Sequence, residues 1–177
     1  MPKKLNSMRF LEAQGVHYEP MYFPETIHTA TGVAAYFGLP PSHVYKTLVV
    51  ISPARGPVLV MLAGDRELSL KRLASLLREK KLRMATRKEA ETLTGLQVGG
   101  ISALALRHKR FPVYLDWAAT ALDTLLVSAG QRGVNLRLKV EDLVRVTKAT
   151  LLELTASSRT SPTPLPARLG SPEASEA

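Results

Sequence analysis

The sequence predicts one α/β or α+β domain built on a mixed sheet, followed by a short polar tail. Three observations predict it. Apolar stretches of strand character alternate along the chain with stretches whose apolar residues recur every three or four positions, the pattern of helices packed on a sheet. The segment KTLVVI, Lys46–Ile51, is β-branched and apolar on both faces after its first two residues, as a strand covered on both sides must be. At 177 residues and 45% hydrophobic content, the chain is long enough to bury one full core and too short to expect a second domain.

Each element follows in order. Leu5, Met8 and Leu11 mark an amphipathic first helix stopped by Gly15, and His17 to Phe23 has strand character. Thr29 caps a short helix that carries Val33, Ala34 and Phe37 and stops at Gly38, after which Pro40 and Pro41 forbid continuation. Lys46–Ile51 is then a central strand, Ser52 to Pro57 turns the chain, and VLVMLA pairs back on it. Ser69 caps a helix that turns Leu70, Leu73, Leu76 and Leu77 inward and leaves Lys71, Arg72, Arg78 and Lys80 largely outside. Thr86 with Glu89 has capping-box spacing for a further helix closing near Gly95. PVYLD, TLLVS and VNLRL supply strands, Val140 to Val146 a last helix, and no internal repeat is present. After Ala156 the composition changes to five Ser and four Pro in 21 residues, with no aromatic anchor. The expected organisation is therefore a domain over 1–156 and a disordered tail over 157–177.

Lys and Arg outnumber Asp and Glu by 24 to 15, and the resulting +9 favours a polyanionic partner. Nine of these basic residues fall between Arg66 and Lys88, and Arg107, Lys109 and Arg110 form a second cluster. Such runs suit a solvated helix face and a phosphate track alike. Cysteine is absent, which excludes disulfides, thiolate metal sites and a protein thiol nucleophile together. His17, His28, His43 and His108 show no close pairing of the kind that holds zinc on a helix, so neither a metal nor a cofactor is expected. The opening MPKKLNSMRFLEAQG lacks the continuous apolar core of a signal peptide, and no run of 18 apolar residues occurs, so no membrane is expected and the cytoplasm is the expected compartment.

Lys46 opens the central strand, where its stem can lie along apolar residues while the ammonium leaves the sheet end. A solvated strand-end lysine and a cation facing a cleft both satisfy that placement. Gly95, Gly99 and Gly100 in TGLQVGGIS, and Ser128, Gly130 and Gly133 in VSAGQRG, suit either plain strand-joining turns or loops whose backbone closely approaches a ligand.

Taken in order, the small-residue helix near Thr29, VYKTLVV, GDRELSLKRLA, LTGLQVGGIS, PVYLD and VSAGQRGVNLRL resemble the YbaK/ProX family over residues 3 to 155. That family includes Cys-tRNA(Pro) deacylases and is similar to the editing domain inserted in bacterial prolyl-tRNA synthetases. The resemblance implies a strongly curved mixed sheet, nearly closed as a barrel, with helices packed around it. It implies trans-editing: hydrolysis of the ester between a wrongly attached amino acid and the terminal ribose of tRNA, with Cys-tRNA(Pro) as substrate. The substrate's own thiol would attack the carbonyl. The alternatives are a non-catalytic aminoacyl-tRNA-binding homologue and a deacylase for another small aminoacyl group, alanyl or seryl. The implied partners are the aminoacyl-tRNA acceptor end and a prolyl-tRNA synthetase. The resemblance assigns catalysis to Lys46, holding the aminoacyl-adenosine end and stabilising negative charge near the ester, and to the backbone of Gly100. Substrate binding falls to Tyr22, Thr29, Thr47, Gly99, Ile101, Ser102, Ser128 and Gly130. Relatives usually continue the glycine loop as glycine-glycine-x-serine-proline-x-glycine, whereas here Ala103 replaces the proline and Ala105 the last glycine. Asp116, at the end of PVYLD, is expected to cap the segment that follows and not to act as an acid.

Overall fold

A computed structural model describes residues 3–155, and the tail expected to be disordered, 157–177, lies outside the described residues. The elements run α1 Asn6–Ala13, β1 Glu19–Tyr22, α2 Ala30–Phe37, β2 Tyr45–Ser52, β3 Gly56–Ala63, α3 Leu70–Leu77, β4 Arg83–Met84, α4 Arg87–Thr94, β5 Val113–Asp116, β6 Thr124–Ser128, β7 Val134–Lys139, α5 Val140–Thr147 and β8 Thr150–Leu152. The mixed α/β expectation holds, with five α-helices on two sheets among the described residues.

Strands β2 and β3 form an antiparallel hairpin paired from Tyr45–Ala63 to Ser52–Gly56, and Gly56 turns it at φ +75°, where a side chain would be strained. Around them the larger sheet has the order β4-β2-β3-β5-β8, with β5 and β8 added in parallel; the smaller has the order β1-β7-β6, all antiparallel. These are two sheets in place of the nearly closed barrel that the resemblance implies, and neither closes on itself. The reason lies along one edge of β2. Strand β4 pairs only with Val50 and Ile51, and the smaller sheet touches this edge through a single parallel bridge, Val44 to Leu126. The Val49 carbonyl still accepts the Ala85 N–H at 3.0 Å, so Tyr45 to Leu48 keep an edge without a partner strand beyond β3, and a cavity opens there.

Side-chain alternation explains why β2 and β3 are apolar throughout. Val49, Leu59 and Met61 face the core shared with Leu125, Val127 and Leu136 of the smaller sheet, whereas Val50, Val58, Val60 and Leu62 face the other way, onto Leu73 and Leu77 of α3. Leu76 does not join them and is largely exposed. At 3.6 residues per turn it sits about 120° around the helix from Leu70, off the stripe through Leu70, Leu73 and Leu77.

Helix starts follow the sequence closely. Thr29, Ser69 and Thr86 each accept the N–H three residues on, from Gly32, Arg72 and Glu89, and Glu89 completes the box by accepting the Thr86 N–H at 2.8 Å. Gly38 and Gly95 end α2 and α4 in the left-handed conformation. Asp116 departs from expectation. It makes no cap to the 3-10 turn Trp117–Ala121; instead its Oδ1 accepts the Leu154 N–H at 3.0 Å and ties down the chain after β8.

Candidate active site

A cavity of about 510 Å³ fills the gap beside β2, a volume suited to a small-molecule ligand. One wall is the β2 stretch Tyr45 to Val49, another is the start of α2, and Met84, Ala85 and Arg87 border it beside α4. Val98, Gly99 and Ile101 of the glycine loop, with Ser128 and Asn135 of the smaller sheet, complete it.

Lys46 sits in this wall, half-buried, and its ammonium is fixed. Nζ donates to the Gly64 carbonyl at 3.2 Å and to the Arg66 carbonyl at 2.6 Å. An ammonium has three N–H groups, so this cradle leaves one for a ligand and removes most of the rotamer freedom that a solvated lysine would lose on binding. Gly64 serves a second purpose: a Cβ there would come within 2.8 Å of Ala30 Cβ and 3.1 Å of the Thr31 nitrogen, so the absence of a side chain lets the start of α2 close over the lysine.

The cradle loop is itself braced by the end of the domain. Ser69 N–H donates to the Leu154 carbonyl at 2.9 Å, Leu68 and Thr155 form an isolated bridge, and the Arg66 guanidinium donates to Thr155 Oγ1 at 3.2 Å. Asp116 anchors Leu154 from below, its Oδ2 buried without a partner among the described residues. Burial pushes the Asp116 carboxyl above the ordinary aspartate range. Burial, with the Asp116 charge adding to it, also holds the Tyr45 phenol up, so that ring enters the cavity wall as a neutral group.

Of the residues singled out from the sequence, Lys46, Thr29, Thr47, Gly99, Ile101 and Ser128 line the cavity. Thr47 Oγ1 is buried there without a hydrogen-bond partner among the described residues, a hydroxyl open to a ligand that reaches it. Gly100, Ser102, Gly130 and Tyr22 do not line it, and each has a physical reason. The Gly100 N–H is spent on the Gln97 carbonyl at 2.7 Å, and a Cβ on Gly100 would come 3.0 Å from both the Arg132 nitrogen and the Gln131 carbonyl carbon. Gly100 therefore brings two loops into backbone contact and offers no free amide. The Gly99 N–H, by contrast, makes no backbone hydrogen bond among the described residues. Ser102 is buried, and its Oγ accepts the Leu104 and Ala105 N–H groups at 3.2 and 3.3 Å, which organises the turn without the proline of relatives. Gly130 has φ +107° and donates to Ser128 Oγ at 3.2 Å; a Cβ there would meet Ala105 Cβ at 3.0 Å, so the extra methyl of Ala105 is accommodated by the glycine opposite. Tyr22 is exposed on β1 and lines a different depression.

The sequence reading did not single out Asn135, Gly64 or His28. Asn135 is buried on β7 directly opposite Ser128, so the two polar side chains form one end of the cavity. In sequence it shares a strand face with Arg137, opposite Val134, Leu136 and Leu138, and so reads as a solvent-facing amide. His28 stands at the rim, where a Cβ on Gly99 would lie 3.3 Å from its own Cβ.

Of the basic run, Arg87 lines the cavity itself. Arg83 pairs with Glu89 and Arg87 with Glu91, whereas Lys80, Lys81 and Lys88 form no ion pair among the described residues. Among the described residues no three His, Asp or Glu side chains converge as a metal site would require, and no helix is long and apolar enough to cross a membrane.

Residues 24–146 match the model of the aminoacyl-tRNA editing domain. The chain is 35% identical over 155 residues to EbsC of Enterococcus faecalis, named as a candidate Cys-tRNA(Pro)/Cys-tRNA(Cys) deacylase, covering 86% of this chain and 94% of that one. It is also 35% identical over 100 residues to the proline–tRNA ligase of Thermodesulfovibrio yellowstonii, a match that takes in 56% of this chain and 17% of the ligase. Among solved structures, one described as a candidate trans-editing enzyme for prolyl-tRNA synthetase superposes with a TM-score of 0.76 at 26% identity, over 85% of this chain and 98% of that one.

Proposed function

The chain belongs to the aminoacyl-tRNA editing domain family, and from that premise we propose that it is a trans-editing deacylase that cleaves the ester of mischarged tRNA, with Cys-tRNA(Pro) as its substrate. The observation that carries this reading is the Lys46 ammonium, held at the cavity by the Gly64 and Arg66 carbonyls with one N–H unspent. The aminoacyl-adenosine end enters the gap beside β2. Lys46 and the Gly99 amide take the charge that develops on the ester carbonyl, a type of contact whose loss costs on the order of 10² to 10³ in rate. This replaces the Gly100 donor implied by the resemblance, whose N–H is already bonded.

The protein supplies no sulfur nucleophile, because it has no cysteine. The substrate's thiol attacks its own carbonyl carbon. The sulfur–carbon bond forms as the ester carbon–oxygen bond breaks, the thiol proton ends on the ribose oxygen, and water then opens the released thioester. Catalysis rests on positioning, to which a rigid cradle is suited. Thr47, Ser128 and Asn135 supply the polar contacts that orient the aminoacyl group, and the apolar wall limits its size. The working domain is 1–156, acting in the cytoplasm on free or synthetase-released tRNA, with a prolyl-tRNA synthetase as the natural source of that substrate.

The test is a panel of tRNAs charged with cysteine, alanine, serine or proline, incubated with the parent and with Lys46→Ala. The expected result is release of cysteine from tRNA(Pro) by the parent alone, with Lys46→Ala slower by about 10² or more. Preferential release of alanine or serine would move the substrate while keeping the chemistry. A parent that binds charged tRNA and releases nothing would make the protein a binding homologue.

A further inference from the structure

A second depression, of about 250 Å³, lies on the far side of the Gln131–Gly133 loop, and Tyr22, Glu25, Gln131 and Arg132 are among its walls. Tyr22 is 45% exposed, an unusual degree for an aromatic ring in a wall. It stands on a strand held in register with β7, opposite Val134, so its position is rigid. Arg132 lines this depression and reaches the glycine loop that walls the main cavity. Its Nε donates to the Val98 carbonyl at 2.9 Å, and a Cβ on Gly99 would lie 3.3 Å from that nitrogen, while Val98 and Gly99 both line the main cavity. With Nε committed, the guanidinium retains four of its five N–H donors. The Glu25 carboxylate belongs to the wall by Gly133, where a Cβ would meet Glu25 Cγ at 3.0 Å, and its charge repels an anion from that side; the cations of the walls are Lys3 and Arg132, of which Arg132 is the one tied to the glycine loop of the main cavity.

An exposed ring on a rigid strand, one arginine's width from a cavity that takes a nucleoside, is the arrangement by which single-stranded nucleic acid is held: bases stack on aromatic faces and cations take the phosphates between them. We propose that this depression is a subsite for the nucleotide preceding the terminal adenosine of tRNA, with its base stacked on Tyr22 and the phosphodiester joining the two nucleosides seated on Arg132. The proposal rests on the deacylase reading of the main cavity and gives Tyr22 a place outside the aminoacyl pocket.

The experiment compares Cys-tRNA(Pro) and a cysteinylated cytidylyl-(3′→5′)-adenosine, which both carry that nucleotide, with 3′-cysteinyl-adenosine, which lacks it; the dinucleotide must reproduce the effect seen with the charged tRNA. Tyr22→Ala should raise KM for the charged tRNA about 5- to 150-fold, the range that loss of one base stack gives, and leave hydrolysis of 3′-cysteinyl-adenosine at the parental rate. Tyr22→Phe, which keeps the ring, should behave as the parent on all three. Parental KM in Tyr22→Ala, or an equal loss on all three substrates, overturns the subsite. If the parent cleaves none of them, the deacylase reading falls, and anisotropy of a fluorescein-labelled single-stranded RNA ending in CCA decides the subsite. Binding that is lost in Tyr22→Ala and kept in Tyr22→Phe supports it; binding equal in all three proteins, or absent in all, overturns it.

Discussion

Replacing Gly100 with alanine separates two roles that a glycine beside an active site can have. If Gly100 lends its amide to the reacting carbonyl, a methyl on its Cα changes little in the fold. If it serves as a spacer, the methyl strikes backbone. The structure supports the spacer. The new Cβ would stand 3.0 Å from the Arg132 nitrogen, 3.0 Å from the Gln131 carbonyl carbon and 3.1 Å from Gln131 Cα, none of which can swing aside as a side-chain end would. Ordinary carbon contacts lie near ~3.5–4.0 Å, so the 130–133 loop must retreat by roughly half an ångström. Overpacking of this kind costs about 1–3 kcal/mol. For a domain of this size that is a fall in Tm of about 2–12 °C. The retreat also moves Arg132 away from Val98, and with it the wall of the cavity, so deacylation falls together with stability. Thermal melts followed by circular dichroism, beside single-turnover deacylation of Cys-tRNA(Pro), read both. An unchanged Tm would refute the steric argument.

Three further outcomes follow from the geometry. Lys46→Met keeps the stem and frees the Gly64 and Arg66 carbonyls, so it should cost about 1–2 kcal/mol in urea unfolding, more than a solvated strand-end lysine would, and equal unfolding midpoints would show that the cradle carries no energy. Asp116 has its folded-state pKa raised above the ordinary 3.8, so its contribution is full below that value and is lost as pH rises through the folded value. The stability of the parent relative to Asp116→Asn should therefore fall from about pH 4 upward and then level off, and a difference that is flat across urea midpoints at several pH values would contradict the buried carboxyl. Lys80→Glu with Lys81→Glu should weaken binding of every tRNA alike and reduce the slope of log affinity against log salt by about 2, whereas an unchanged slope would return this run to the solvated surface.

The parts of the fold legible in the sequence are those governed by local rules. Threonine and serine caps at Thr29, Ser69 and Thr86, glycine stops at Gly38 and Gly95, and the doubly apolar β2–β3 hairpin all lie where nearest-neighbour chemistry puts them. Strands β4 and β8 are not legible in the sequence because two or three residues carry no periodicity, and their pairing depends on partners distant in the chain. The same holds for the site. Lys46 and Gly99 lie on motifs, whereas Asn135 reaches the cavity only because β7 sets it opposite Ser128. Which amide of the glycine pair stays free depends on a turn closed by Gln97, and Asp116 finds its partner in Leu154, 38 positions away.

The brace between the cradle loop and residues 154–155 has a consequence for the order in which the protein is made. Lys46, Gly64 and Arg66 leave the ribosome early, together with the hairpin that carries the lysine. The segment that pins their loop, through Ser69 to Leu154 and through Arg66 to Thr155, comes almost ninety residues later. At about 5–20 residues per second, several seconds of synthesis separate the lysine from the support of its cradle. A nascent chain can thus form its central hairpin and part of its core while the ammonium is still loosely held, and the cradle is complete only once the segment after the final strand has docked.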